Sequence, residues 1–488
     1  MHITLILCLT FVFLLAHATD SHAALSAGAA KACITPALGT RMNGGVGPGY
    51  AKHVHDDLFV RALVLDDGTT RLAFAVVDTC LLDRPVFDEA KKLVQQHTGI
   101  SPDRVMMSCT HTHSGGSGVS AHLVEADDTY RAWLPGRIAD AVQCALNNLA
   151  PAQIAWGSGT LPQHVFCRRV LIKEGVSYTN QLGFTGEKAK MNWDSPNPAD
   201  GEPAGPTDPQ VFVLSVQNAD GKPLALLANY SLHYVGGVGP GHISGDYFGV
   251  FADRIQQLLG ADRQDPPFVG ILCNGTSGDI NNINPKEKAP PRKPYEQMRA
   301  VAEDLAQEVM RVSKSFEFRR DVKLASALKE CVVGTRRPNA EELAKAKDVV
   351  AGRPVEKLKG WTENSAREQI LLSEWPAEVS MPLQIFRIGD LAIAGWPGEI
   401  FAASGLELKK QNPLSPGGRG PSERSETGVR GPLFNIGLAN GWYGYIPPPE
   451  QFDLGAYETW RMRTSPLEIE AIPKMIKTFV ELLTALKQ

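Results

Sequence analysis

The hydrophobic and polar positions alternate between two periods along this chain. Residues 71–82, "RLAFAVVDTCLL", form a short continuous apolar run, the pattern of a buried strand. The stretch that follows, "RPVFDEAKKLVQQHTGI", repeats apolar residues at helical spacing, with Phe87, Ala90, Leu93 and Val94 on one face. "DRVMMSCTHTH" then predicts a second buried strand running into a loop. Strand, helix, strand in this order predicts an α/β fold, a mixed β-sheet core surrounded by helices.

Downstream, "YRAWLPGRIADAVQCALNNL" predicts a helix, with Pro135 marking its start or a kink. "PQVFVLSV" and "PLALLANYSLHY" read as consecutive strands, the second ending at His233. "SGDYFGVFADRIQQLLG" opens on a Ser/Asp cap signal and continues as a helix. Further helices are expected over 295–315, 339–352 and 465–488. Residues 186–209, 284–294 and 411–432 read as long loops inserted in one domain, because strand-like segments and candidate site residues flank each of them. "LCNGTSGDINNIN" is expected to be a strand followed by a polar glycine loop.

The first residues change the cellular picture. An apolar run over 3–16 followed by small residues at Ala16, Ala18, Ser21 and Ala23 predicts a secretory signal over 1–23. The run is shorter than the ~20 residues of a spanning helix. The expected organisation is therefore a signal over 1–23 and a single domain over 24–488, secreted or periplasmic, with no transmembrane segment after cleavage. Any membrane contact would be peripheral. A net charge of −4 offers no basic field for nucleic acid. The seven cysteines beyond the signal contain no C-x-x-C pair, so a cysteine-based zinc site is not suggested, although disulfides are open to an exported chain.

The chemistry concentrates in histidines. His111 and His113, two residues apart, would share one face of a strand and address one site. A catalytic zinc takes three protein ligands and keeps a position for water. His233, at a strand end before a glycine-rich loop, is the best third nitrogen, and Glu399 in "IAGWPGEIF" supplies a carboxylate or else caps the next helix. His53, His55, His97, His122, His164 and His242 have the default reading of solvated imidazoles. In the glycine loop Asp279 is expected to act behind the site, and "GTSGD" does not complete a nucleophile elbow. Asn229 and Asn274 match the glycosylation pattern by chance.

Five separated motifs, "CTHTHSGG", "NYSLHYVGG...HISGDYFG", "NGTSGDIN", "GWPGEIF" and "NGWYGYIPPPEQFDLGAYE", occur in an order that resembles the neutral, non-lysosomal ceramidases, a family of zinc amidases. The resemblance runs over about residues 29–465 and implies a ceramidase-like catalytic domain. It implies zinc held by His111, His233, Glu399 and Tyr445. It also implies that His113 and Tyr457 face the substrate, and that an arginine, Arg168 or its neighbour Arg169, stands beside them. Glu399 would accept a proton from water, while His113, Tyr457 and Arg168 would donate to the carbonyl oxygen.

The chain also departs from the family. About twenty residues follow Ser465 in this sequence, where one helix is expected in place of the usual C-terminal β-sandwich domain, and "HTHSGGSG", "NGTSGD" and Pro447-Pro448 replace the family's forms. The implied substrate is a small-molecule or lipid N-acyl compound, cleaved to a fatty acid and an amine. Hydrolysis of another acyl amide or ester, such as an acylated amino sugar or glycan, is the alternative within enzymes. A non-catalytic secreted binding protein is the alternative outside them. A metallo-β-lactamase-like enzyme is disfavoured because no Asp-His follows the second histidine at the required spacing.

Overall fold

The computed structural model describes residues 25–414 and 432–487. The expected signal over 1–23 and most of the expected loop over 411–432 lie outside the described residues. Eight strands build the larger sheet: β1 (Ser26–Cys33), β2 (Phe59–Asp66), β3 (Arg71–Val77), β4 (Val105–Cys109), β5 (Ala150–Thr160), β6 (Gln210–Asn218), β7 (Pro223–Tyr230) and β8 (Val269–Asn274). Their spatial order is β8-β7-β6-β5-β1-β2-β3-β4. The two edge pairs, β3 with β4 and β7 with β8, are parallel, and the strands between them are antiparallel.

Each parallel pair needs a crossover, and a helix supplies it. Helix α1 (Arg84–Thr98) connects β3 to β4, as its periodicity predicts, and buries Val86, Phe87, Ala90 and Val94. Helix α2 (Asp128–Asn147) carries Pro135 in its interior, so the proline does not mark its start. On the other edge α3 (Asp246–Leu258) crosses from β7 to β8, and α4 (Glu296–Ser313) packs beside it.

A second sheet holds β9 (Leu324–Gly334), β10 (Glu378–Ile388), β11 (Leu391–Gly395) and β13 (Leu433–Ile436), in that order. Its apolar face meets the first sheet: Phe386, Ile393 and Phe434 share one core with Leu63, Phe74 and Phe212. Between β9 and β10 lie α5 (Ala340–Val350) and α6 (Gly360–Ser373), while α7 (Ala402–Gln411) follows β11 and α8 (Ala471–Ala485) covers the outer face. Two short strands, β12 (Glu399–Ile400) and β14 (Tyr445–Ile446), pair in parallel.

Several expectations change. Residues 186–209 are not wholly loop, because Ala189–Met191 and Asp200–Pro203 flank Arg169–Ile172 in a small sheet. The C-terminal helix begins at Ala471, six residues later than its sequence pattern suggests. All seven cysteines among the described residues are free. Asn229 and Asn274 are buried, which is incompatible with carrying a glycan in the folded state.

Candidate metal centre and active site

The site lies where the C-terminal ends of β4 and β7 meet the loops of the second sheet. Strand β4 ends at Cys109, so His111 and His113 are not paired by strand alternation. They sit in the following loop, where His111 adopts a left-handed backbone (φ 74). That turn brings both rings together, with centroids 4.7 Å apart and planes at 85°. His233 follows the end of β7 by three residues, and Glu399 and Tyr445 are direct partners across the β12/β14 pair.

Backbone carbonyls orient the two metal-side imidazoles. His111 Nδ1 meets Cys80 O at 3.0 Å and His233 Nδ1 meets Ser277 O at 3.1 Å. A ring nitrogen facing a carbonyl carries the proton, so in a neutral ring the opposite nitrogen is a bare lone pair. The two Nε2 atoms face each other at 2.9 Å. Glu399 Oε2, 3.3 Å and 3.8 Å from them, is buried without a hydrogen-bond partner. Its other oxygen, Oε1, accepts from Trp442 Nε1 at 3.0 Å.

Two imidazole nitrogens and a carboxylate oxygen this close call for a cation among them, either a proton on His111 or a metal ion. The ligand atoms of His111, His233 and Glu399 lie within 4.8 Å of one another, as do those of Cys80, His111 and His113. The first group fits a metal ion better. His111 Nδ1, the nitrogen nearer Cys80 Sγ at 3.7 Å, is already committed to a carbonyl.

Charge on the site follows the same logic. Burial opposes protonation of His111, but Cys80 and Glu399 outweigh it and push its pKa up to about 10. Burial, reinforced by His111, holds His233 and His113 well below the usual imidazole range. Burial raises Glu399, but His111 and Arg168 reverse this and hold it ionised below the usual carboxylate range. One positive charge is therefore favoured at the centre of the cluster.

The remaining predicted residues surround this core. His113 stacks on Tyr234 at 3.5 Å, its Nε2 3.1 Å from His111 Nε2 and its Nδ1 without a partner. The two arginines separate by position. Arg168 Nη1 lies 3.3 Å from His233 Nε2, its guanidinium is 5.0 Å from the centre of the Tyr445 ring, and its Nη2 is buried and unpaired. Arg169 points away and binds Gln451, Gly455 and Glu458. Glu458, fully buried, joins them by accepting from Arg168 Nε and Arg169 Nη1, each at 2.7 Å. Tyr457 packs its ring 5.3 Å from that of Tyr445. Burial keeps both phenols neutral by raising their pKa values.

Sequence reasoning missed several contributors. The "NGTSGD" loop acts through the carbonyl of Ser277 on His233, while Asp279 Oδ1 accepts from Ala402 N and caps α7. Gly278 is constrained by packing: a Cβ there would come within 2.4 Å of Glu399 O. Gly44, at φ +119, lies so close to His113 that a Cβ would approach its Cβ to 2.5 Å. His122, read as a solvated imidazole, instead meets Tyr457 Oη at 2.9 Å.

A family model described as neutral/alkaline non-lysosomal ceramidase, N-terminal, matches residues 26–293, more than half of the chain. The chain belongs to this family. The neutral ceramidase of Pseudomonas aeruginosa is 22% identical over 495 residues, a match spanning 89% of this chain and 68% of that protein. The crystal structure of neutral ceramidase from P. aeruginosa superposes with a TM-score of 0.70 at 19% identity, covering 95% of this chain and 75% of that one. A ceramidase complexed with C2 gives 0.69 at 17% identity, with the same coverage. These superpositions establish the mixed α/β ceramidase fold for the family member described here.

Proposed function

We propose that this chain is an exported, zinc-dependent hydrolase that cleaves an N-acyl amide bond, with ceramide or a related lipid as substrate, and that residues 24–488 act as a single domain. The observation carrying this reading is the convergence of His111, His233 and the buried Glu399 within 4.8 Å, with both rings held by carbonyls at Nδ1 so that each turns Nε2 inward. The metal would be held by His111, His233, Glu399 and Tyr445. When bound, zinc supplies Lewis-acid polarisation of a carbonyl and lowers the pKa of water towards ~7. Family membership supports the amide-hydrolase class, and the small residues after the apolar run at 3–16 support export. Among the described residues no helix is long and apolar enough to cross a membrane.

The side chains then divide the work. Glu399 accepts the proton that the attacking water loses. Arg168, through its unpaired Nη2, donates to the carbonyl oxygen as negative charge develops, together with Tyr457 and His113. Tyr457 or His113 delivers a proton to the departing amine and recovers one from Glu399, so water and amide become acid and amine and each side chain ends in its starting state.

A second reading, hydrolysis of an acylated amino sugar or glycan, draws on the wall beside Tyr457. There Trp361 lies 5.4 Å from Tyr457, 5.8 Å from Trp460 and 6.3 Å from the half-exposed Trp193, and Arg367 and Arg463 stand close by on Glu368. Aromatic faces bordered by charged groups suit a hydroxylated ring as well as a lipid headgroup. The deciding experiment is product release by zinc-loaded protein from long-chain ceramides, short N-acyl amines, N-acetylated sugars and simple esters. Amine release abolished by a chelator and by His111→Ala is expected; activity indifferent to both sinks the mechanism.

A further inference from the structure

Among the described residues, His122 is a titratable side chain that meets Tyr457 and that the mechanism above does not use. Its Nε2 lies 2.9 Å from Tyr457 Oη, and its Nδ1 lies 3.0 Å from Asn364 Nδ2. Burial lowers the pKa of His122, so the ring is neutral and carries one proton. With the Asn364 amide placed so that Nδ2 faces the ring and Oδ1 is left without a partner, Nδ1 is the acceptor and the proton sits on Nε2, facing Tyr457. The phenol oxygen therefore accepts from His122, which leaves its own hydrogen to point away from His122, on the side where the ring packs against Tyr445.

The backbone is committed to this arrangement. His122 has φ 57, and Ala456, which precedes Tyr457, has φ 72; neither is glycine. Left-handed residues of this kind persist only where their surroundings over-determine them. Helix α6 supplies those surroundings from one face. Trp361 packs edge-on to both the His122 and Tyr457 rings, Asn364 is fully buried against Nδ1, and Arg367 donates to the His122 carbonyl while pairing with Glu125.

We propose that His122, with its tautomer set by Asn364, is a positioning residue that holds Tyr457 Oη from behind so that the phenol proton faces the scissile group. This rests on the reading of Tyr457 as a hydrogen-bond donor to substrate. A partner behind a catalytic group is typically worth about 10–100-fold in activity.

The test uses the zinc-loaded protein with the amide that the release assay selects. His122→Ala is expected to lower kcat about tenfold, with KM and zinc content unchanged, and His122→Gln, which retains a donor, to recover most of it. In a Tyr457→Phe background His122→Ala should cost nothing further. Costs that multiply in the double variant, or zinc lost in step with kcat, would overturn the inference while leaving the donor reading intact. Tyr457→Phe without effect on kcat would overturn both. An activity-independent check is the ¹⁵N spectrum of the His122 ring, expected to show the proton on Nε2; a proton on Nδ1 contradicts the proposed relay even if no amide in the panel is cleaved.

Discussion

The two halves of the site are held in different ways. On the metal side, backbone does the aligning: Cys80 O and Ser277 O fix the two imidazoles, and the β12/β14 pairing fixes Glu399 against Tyr445. On the substrate side, side chains hold side chains: Tyr234 supports His113, Glu458 supports Arg168, and Asn364 supports His122, which in turn meets Tyr457. Carbonyl positions survive most substitutions, whereas a side-chain partner is lost with a single one. On the proposed assignment of roles, the metal half can persist through extensive sequence change while the other half is retuned, which would place substrate choice in the second half.

The sharpest way to break that contrast is to remove a metal-side nitrogen. His111→Ala or His233→Ala is expected to abolish zinc retention and lower activity by about 10³-fold or more. Metal content measured on purified protein separates this from a defect confined to the chemistry. Substrate-side variants should instead keep stoichiometric zinc. If they lose it as readily as the histidine variants, the two halves are not independent.

Glu458→Gln tests the side-chain half at its most buried point. Removing the charge leaves Arg168 and Arg169 buried without their shared carboxylate, a loss of about 3–5 kcal/mol. The expected outcome is a clearly lowered unfolding midpoint, together with an activity loss of about 10–100-fold at unchanged zinc content. A variant of wild-type stability would mean that Gln451 and the backbone acceptors suffice for Arg169.

The same division explains what could be read before the structure. His233 and Glu399 sit just past a strand end and a Pro-Gly turn that the sequence shows, whereas the strand face expected for His111 and His113 gives way to a left-handed turn, and Tyr445 is expected only from the family resemblance. The crossover β3-α1-β4 was plain, since both periods are strong. By contrast, β9, "LASALKECVVG", is half-exposed and carries helix-compatible residues; it is a strand because all eleven residues pair with β10. Helix α6 lacks a side-chain N-cap, and only its contacts with the site give it meaning. His122 gave no local signal, because its partners lie 242 and 335 residues away.

A smaller change should act on substrate preference. Trp361→Ala removes the ring that touches His122, Tyr457 and Trp460 at once. Its expected signature is a rise in KM of about tenfold, the scale of one aromatic contact, for whichever substrate class uses this wall, with kcat changed less. An equal fall in kcat for long-chain ceramides and N-acetylated sugars would show that the ring acts by supporting Tyr457 instead of by contacting substrate.

The smallest effect joins the halves through Asp279, whose carboxyl caps α7 while its backbone carbonyl accepts from Arg168 N at 2.8 Å. Burial raises its pKa to about 7 against the capping bond from Ala402 and the attraction of Arg169. An acid raised on folding binds more protons folded than unfolded, so its contribution is fully present below about pH 4 and is lost as pH rises towards about 7. Asp279→Asn keeps the acceptor for Ala402 N but cannot ionise. Urea midpoints of the two zinc-free proteins should therefore diverge in favour of the variant between about pH 4 and about pH 7, the range set by that shift, and run parallel above it. Parallel pH profiles would mean that the two arginines keep the carboxylate ionised throughout, and that the acid behind the site belongs electrostatically to the Arg168 network.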